Sequence, residues 1–257
     1  MTTRRPIAVF YHCLFAIGSR KSSSIEPKLA PLASGSLPAA IAIVRSQVDA
    51  MQRSGLLDAA DHLFVGINGN VEDFEIAAEL LPKRAIVHFH GRECRNELRT
   101  ILMLERFVAE KTRFDTDADW SICYHHAKGA SHPIGDKDTT KWRRCMEKHV
   151  IHDWRKCVAA LAQGFDAAGA HYLIPPTTPG DQRIFAGNFF WARSRYLKTV
   201  PSLLERKRIH DSGIEALESR YEAEVYVANR RPPPRVFVLH STSFEGCEKA
   251  KSEVKEG

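Results

Sequence analysis

Four short apolar runs spaced along the first half of the chain constrain its fold more than any other feature. They are "PIAVFYHCLF" (6–15), "HLFVGINGN" (62–70), "AIVHFHG" (85–91) and "WSICYHH" (120–126). Each is too short for a buried helix and rich in β-branched or aromatic residues, so each reads as a strand. Between them the pattern changes to helical spacing. From Pro38, Ile41, Val44, Val48, Met51 and Leu56 follow that spacing; "VEDFEIAAELL" makes a short helix. "ECRNELRTILMLERFVAEKT" turns Leu98, Ile101, Leu102, Leu104, Phe107 and Val108 toward a core. Strands without polar alternation, separated by helices, predict an α/β fold: a mostly parallel central sheet flanked by helices on both faces.

In such sheets ligands bind beyond the carboxyl ends of the strands. The predicted strands end in polar tips: "FYHC", "NGN", "HFHG" and, after strand four, "YHHAKG" (124–129). Two imidazoles, an ammonium and a glycine at one strand exit are unusual for packing alone. His125 and His126 are adjacent, so they face opposite sides of a strand. His126 is expected in the site and His125 in the structure.

The second half reads as a long helical stretch over 139–169, then a "PPTTPGDQR" turn, "GNFFWARSRYL", a mostly helical 201–229, and a late strand "RVFVLH" (235–240). Residues 19–38 read as a mobile loop, and 246–257 as a polar tail. One domain is expected over 1–257, with halves at 1–132 and 133–245. The chain has 257 residues, a net charge of +6 and six cysteines without a zinc-type spacing. There is neither a signal peptide pattern nor an 18-residue apolar span, which predicts a cytoplasmic protein. The basic residues of the long helix (Lys141, Arg143, Arg144, Lys148, Arg155, Lys156) could meet an anionic membrane or nucleic acid. Glu147 and Asp153 interrupt them, which favours a solvated face.

Three segments together, "YHHAKGASHP", "GNFFWARSRYL" and "RYEAEVYVAN", resemble a family of bacterial glycosyltransferase-like proteins met in surface polysaccharide synthesis. That family carries Tyr-x-His-x-Lys-Gly, Gly-Asn-Phe-(Trp/Phe)-Trp-Ala and Arg-x-x-x-Glu-x-aromatic segments. The resemblance covers roughly residues 85–230 and implies a GT-A-like, Rossmann-like fold. It implies transfer of a sugar from a nucleotide-sugar donor to a glycan or lipid-linked acceptor; peripheral membrane contact through the basic helix would suit a lipid-linked acceptor, and no nucleic acid is expected because no nucleic-acid motif appears. The 1–132 half would bind the donor and the 133–245 half the acceptor.

Residue by residue, it places Lys128 and His126 at the leaving diphosphate and Glu224 as the general base that takes the acceptor proton. Tyr124 and Gly129 of the first segment would bind the donor, and so would Tyr11, His12 and Asn68, which lie outside the matched segments but end strands one and two, where a GT-A fold receives its donor. Gly187, Asn188, Trp191 and Arg220 would bind the acceptor or sugar, with "GNFFWA" as an aromatic platform. Many GT-A enzymes hold manganese or magnesium on an Asp-x-Asp after strand four. Here that place reads His-His-Ala-Lys-Gly, so either Lys128 replaces the metal or His126 and His240 bind one. "DTDADW" (115–120) lies before the strand, at the other end of the sheet. The competing reading is a non-catalytic α/β module that binds anions or nucleic acid through its basic surface.

Overall fold

The four apolar runs become four parallel strands, the first, second and fourth covered from both sides and the third at the sheet edge. The computed structural model describes residues 4–15, 37–91, 97–114, 119–130, 137–174, 183–204 and 220–241. In order these form β1 (Ile7–Leu14), α1 (Leu37–Arg53), α2 (Leu56–Ala59), β2 (His62–Asn68), α3 (Val71–Leu80), β3 (Ile86–Phe89), α4 (Leu98–Phe114) and β4 (Ser121–His126). There follow α5 (Lys137–Glu147), a π-helical turn (Lys148–His152), α6 (Trp154–Ala162), β5 (Ala167–Ala170), β6 (Tyr172–Leu173), β7 (Ile184–Phe185) and β8 (Phe190–Arg193). The last elements are α7 (Ser194–Leu197), α8 (Arg220–Val225), a 3-10 turn (Tyr226–Ala228) and β9 (Val236–His240). The expected loop lies outside the described residues except for Leu37 and Pro38, which open α1 instead, and the tail and most of 201–219 lie outside them too.

Seven strands make one sheet in the order β3-β2-β1-β4-β8-β5-β9, and β6 and β7 form a separate antiparallel pair. Only β8 runs against its neighbours. The protein is therefore α/β with a mostly parallel sheet, and strands from both halves of the chain share it. Odd-numbered residues of β1 (Val9, Tyr11, Cys13) pack with Val44, Met51, Met146 and Trp191 on one face. Even-numbered residues (Ala8, Phe10) pack with Leu104, Phe107, Tyr124 and Phe190 on the other. The helix α4 stripe is as its spacing predicts: Leu98, Ile101, Leu104, Phe107 and Val108 are buried. Strand β3 is a sheet edge, so its Ile86 and Phe89 stay exposed.

One expectation is corrected. The stretch 139–169 is not a single helical piece: it ends at Ala162, and Ala167–Ala170 is a buried interior strand of the sheet. "AAGA" has the composition of a helix, and tertiary packing overrides that preference. A Cβ on Gly169 would come 2.8 Å from the Phe185 ring and 3.0 Å from the Phe189 carbonyl oxygen. Only the smallest residues let the sheet close on those rings.

Candidate functional site at the carboxyl edge

Because β8 is antiparallel, its start lies at the same sheet edge as the ends of the other six strands. That edge collects, in spatial order, His90, Asn68, His12, His126, Asn188, His171 and His240. The chain leaves β1 toward β2 on one side while β4 pairs on the other. That reversal of strand order is where open α/β sheets bind ligands. His12 and His126 are register partners across it.

The first turn of α4 closes this point from the face that carries Phe10 and Tyr124. His12 Nδ1 lies 2.9 Å from Thr100 Oγ1, which is 3.3 Å from His90 Nε2. A Cβ on Gly66 would collide with the Thr100 hydroxyl, so glycine is what lets α4 approach. Tyr124 donates its hydroxyl to Glu97 Oε2 at 2.8 Å, and the same oxygen is 3.8 Å from His126 Nδ1. His126 Nε2 donates to the Gly187 carbonyl at 2.9 Å. A carbonyl only accepts, so Nε2 carries the proton and Nδ1 faces the carboxylate. Burial, with His126 and His90 nearby, holds His12 well below the usual imidazole range. Burial, with Arg99 and His88, lowers His90 to about 4.

Several residues expected in the site thus meet here. His126 is joined to Gly187 across the strands, Tyr124 meets His126 through Glu97, and His12 is the register partner of His126 on β1. Asn68 is fully buried at the end of β2, on the same face as Gly66. Gly129 takes φ +93 in the turn after β4, where a Cβ would lie 3.0 Å from Thr139 and 3.2 Å from Arg143. Lys128 is half-buried in that turn, and its carbonyl accepts from Arg143 Nη1 at 3.2 Å. Glu97, Thr100 and His90 escape a reading by sequence, because they resemble ordinary residues of a helix start and a strand end.

On the opposite face Tyr11 is corrected from donor contact to core. It is fully buried and donates to Gln47 Oε1 at 2.7 Å. Gln47 in turn donates to the His126 carbonyl (3.1 Å) and to Glu147 Oε1 (2.8 Å). Arg143 pairs with Glu147 at 3.3 Å, so the turn after β4 is tied to both α1 and α5. Burial outweighs these partners and raises the Glu147 carboxyl. His125 is fully buried, its ring stacked 4.5 Å from Tyr11, and burial lowers it to about 3. Its two nitrogens have no hydrogen-bond partner among the described residues. The basic helix is partly consumed in the same way: Arg155 donates to the Ser54 carbonyl and Lys156 pairs with Asp153.

The aromatic platform is corrected too. Phe189, Phe190 and Trp191 are all buried, since β8 lies between β4 and β5 with both faces covered. Trp191 donates to the Val150 carbonyl at 2.9 Å and is a packing residue. What reaches the edge is Gly187–Asn188. Gly187 has φ +86, and a Cβ there would lie 2.5 Å from Met146 Sδ and 2.9 Å from Trp142 Nε1. Asn188 adopts φ +55, is fully buried, and has both side-chain polar atoms unpartnered among the described residues. A buried amide with no partner is costly, and a bound molecule or water would offset it. Glu224 is buried on α8, beside Ala223, which packs into the α4-side core. The Arg220 side chain lies outside the described residues.

The pairing of His126 with His240 around a metal is corrected. Three strand spacings separate them, roughly 14 Å. His240 belongs instead with Cys145 and His171, whose ligand atoms lie within 4.8 Å of one another. Of the "DTDADW" stretch, 115–118 lies outside the described residues. Asp119 is buried at the entry of β4, 2.7 Å from Arg193 Nε and 3.4 Å from Arg5 Nη1, as a clamp at the far edge. No helix among the described residues is long and apolar enough to cross a membrane.

An α/β protein with a polar site at the switch point of a mostly parallel sheet is the class these features define. The chain belongs to the family described as "Domain of unknown function (DUF8361)", whose profile matches residues 32–231. No curated protein matches it. Among solved structures it is similar to Rv0371c of Mycobacterium tuberculosis H37Rv in complex with manganese, at 12% identity and TM-score 0.35, covering 98% of this chain and 100% of that one. It is also similar to the Rv0371c homologue of Mycobacterium sp. strain JC1, at 15% identity and TM-score 0.37, covering 97% and 96%. At these scores neither the fold nor the function of this chain follows from the likeness.

Proposed function

We propose that the protein is a glycosyltransferase of GT-A-like architecture that moves a sugar from a nucleotide-sugar donor to a glycan or lipid-linked acceptor. The observation that carries the reading is the His126 imidazole. It faces the Glu97 carboxylate with one nitrogen and holds the Gly187 carbonyl with the other. That ties the strand-four exit, the start of α4 and the Gly-Asn segment into one place, at the switch point.

In the proposed reaction the bond between the anomeric carbon and the diphosphate oxygen breaks, and its electron pair leaves with the diphosphate. Lys128, beside the conformationally permissive Gly129, neutralises that charge, and His126 sits at the same strand exit beside the diphosphate. The acceptor hydroxyl oxygen forms the new bond to the anomeric carbon and gives its proton to Glu224. The Asn188 amide, without a partner among the described residues, supplies hydrogen bonds to sugar hydroxyls. The strand-four exit carries His-His-Ala-Lys-Gly rather than an Asp-x-Asp, so the lysine takes the place a manganese or magnesium ion holds in other GT-A enzymes.

Thermal shift with a panel of nucleotide sugars, with and without manganese, tests this reading. It predicts stabilisation by one nucleotide class that persists in a chelator. Stabilisation by oligonucleotides and by no nucleotide sugar would replace it with the anion-binding alternative.

A further inference from the structure

A second cluster lies at the same edge but on the opposite face, and the proposed transfer does not use it. Cys145 comes from α5, His171 follows β5, and His240 ends β9. Cys145 Sγ is 3.4 Å from His171 Nε2, and the three ligand atoms all fall within 4.8 Å of one another. A tetrahedral zinc ion with ordinary bond lengths needs S···N near about 3.6 Å and N···N near about 3.3 Å. Small side-chain rotations bring the three into that range.

Two backbone irregularities converge on the cluster. His171 adopts φ +55, a left-handed conformation that few non-glycine residues take, histidine being among those that take it more readily. Its N–H donates to the His240 carbonyl at 2.7 Å and its carbonyl accepts from Ala186 at 3.0 Å, so the backbone is held and the ring is aimed. The π-helical turn Lys148–His152 directly follows the helix that carries Cys145. Such turns gather at functional sites and here bring His149 beside His240, ring centroids 5.2 Å apart. On its other side His171 stacks on Trp142 at 4.3 Å.

We infer that Cys145, His171 and His240 bind a zinc-class divalent cation, with the fourth position next to His149. A thiolate and two imidazoles without a carboxylate select a borderline-soft ion over magnesium or manganese. His240 ends the edge strand of the sheet, which gives the ion a path in. The ion would join α5 to β5 and β9. Trp142 carries the link onward, since it packs on both His171 and the Gly187 backbone. Cys145, His171 and His240 take no part in the proposed glycosyl transfer, so this site stands or falls separately from that reading.

Cobalt(II) titration of the full-length chain stripped of metal, followed by visible and near-ultraviolet absorption, tests it. The expected result is one equivalent bound, with tetrahedral d–d bands and a thiolate-to-cobalt charge-transfer band that zinc abolishes. Cys145→Ser should lose the charge-transfer band, and His240→Gln should bind at least about ten-fold more weakly. A wild-type protein without these bands overturns the inference whether or not the variants fold. So does a charge-transfer band that survives in folded Cys145→Ser, because another cysteine would then be the ligand.

Discussion

His125 makes the protein sensitive to acid in a way that one substitution should expose. Its ring is fully buried between Tyr11 and Phe189, with neither nitrogen hydrogen-bonded among the described residues, and burial lowers it to about 3. The unfolded chain takes up a proton there below about pH 6.5, whereas the folded chain does not until about pH 3. The stability this neutral group retains is complete above the unfolded value. It is lost progressively as the pH falls toward the folded one. At pH 5 the unfolded histidine is about 97% protonated and the folded one about 1%, which corresponds to a loss of about 2 kcal/mol relative to pH 8. That figure depends on the unfolded value and hardly changes while the folded one stays below about 4.

His125→Leu replaces the imidazole with an apolar group of similar size and removes this proton linkage. Urea unfolding of both proteins at pH 8 and pH 5 should show the variant losing about 2 kcal/mol less than wild type across that interval. Any cost of repacking cancels in the difference, as do the contributions of His12, His90 and His171. Equal losses in the two proteins would refute the claim that His125 is held neutral by burial.

Gly187→Ala should destabilise the protein by about 2–4 kcal/mol in urea unfolding, from the left-handed backbone and the contact with Met146 and Trp142 together. A loss below about 1 kcal/mol would mean that the approach to α5 is not tight. Lys128→Ala should leave unfolding within about 1 kcal/mol of wild type and reduce donor turnover by about 100-fold. A wild-type rate would take from Lys128 the charge role proposed for it.

The parallel half of the sheet was legible because β1, β2 and β4 are buried on both faces, which leaves continuous apolar runs in the sequence. The polar tips of those runs were legible for the same reason, and the structure gathers them at one sheet edge, where buried strands emerge. Strand β5 was hidden because Ala167–Ala170 must be small to admit Phe185, and small residues also suit a helix. The place of β8 between two other strands was equally hidden. "FFWA" reads as a sugar platform until its neighbours are known, and Trp191 then becomes core. Glu97 and Thr100 look like the start of any surface helix, and only the closeness of α4 to Gly66 brings them to His12 and His126. The Cys145–His171–His240 cluster has no local spacing at all. His171 and His240 meet because β5 and β9 pair in parallel, and Cys145 reaches them from α5.

Release of nucleoside diphosphate from a panel of nucleotide sugars, followed with the folded full-length chain and with His126→Ala, tests the central claim most directly. One donor class is expected to be consumed, with the variant slower by about 100-fold. A folded wild-type chain that consumes none of the donors, or a variant that keeps the wild-type rate, would contradict it.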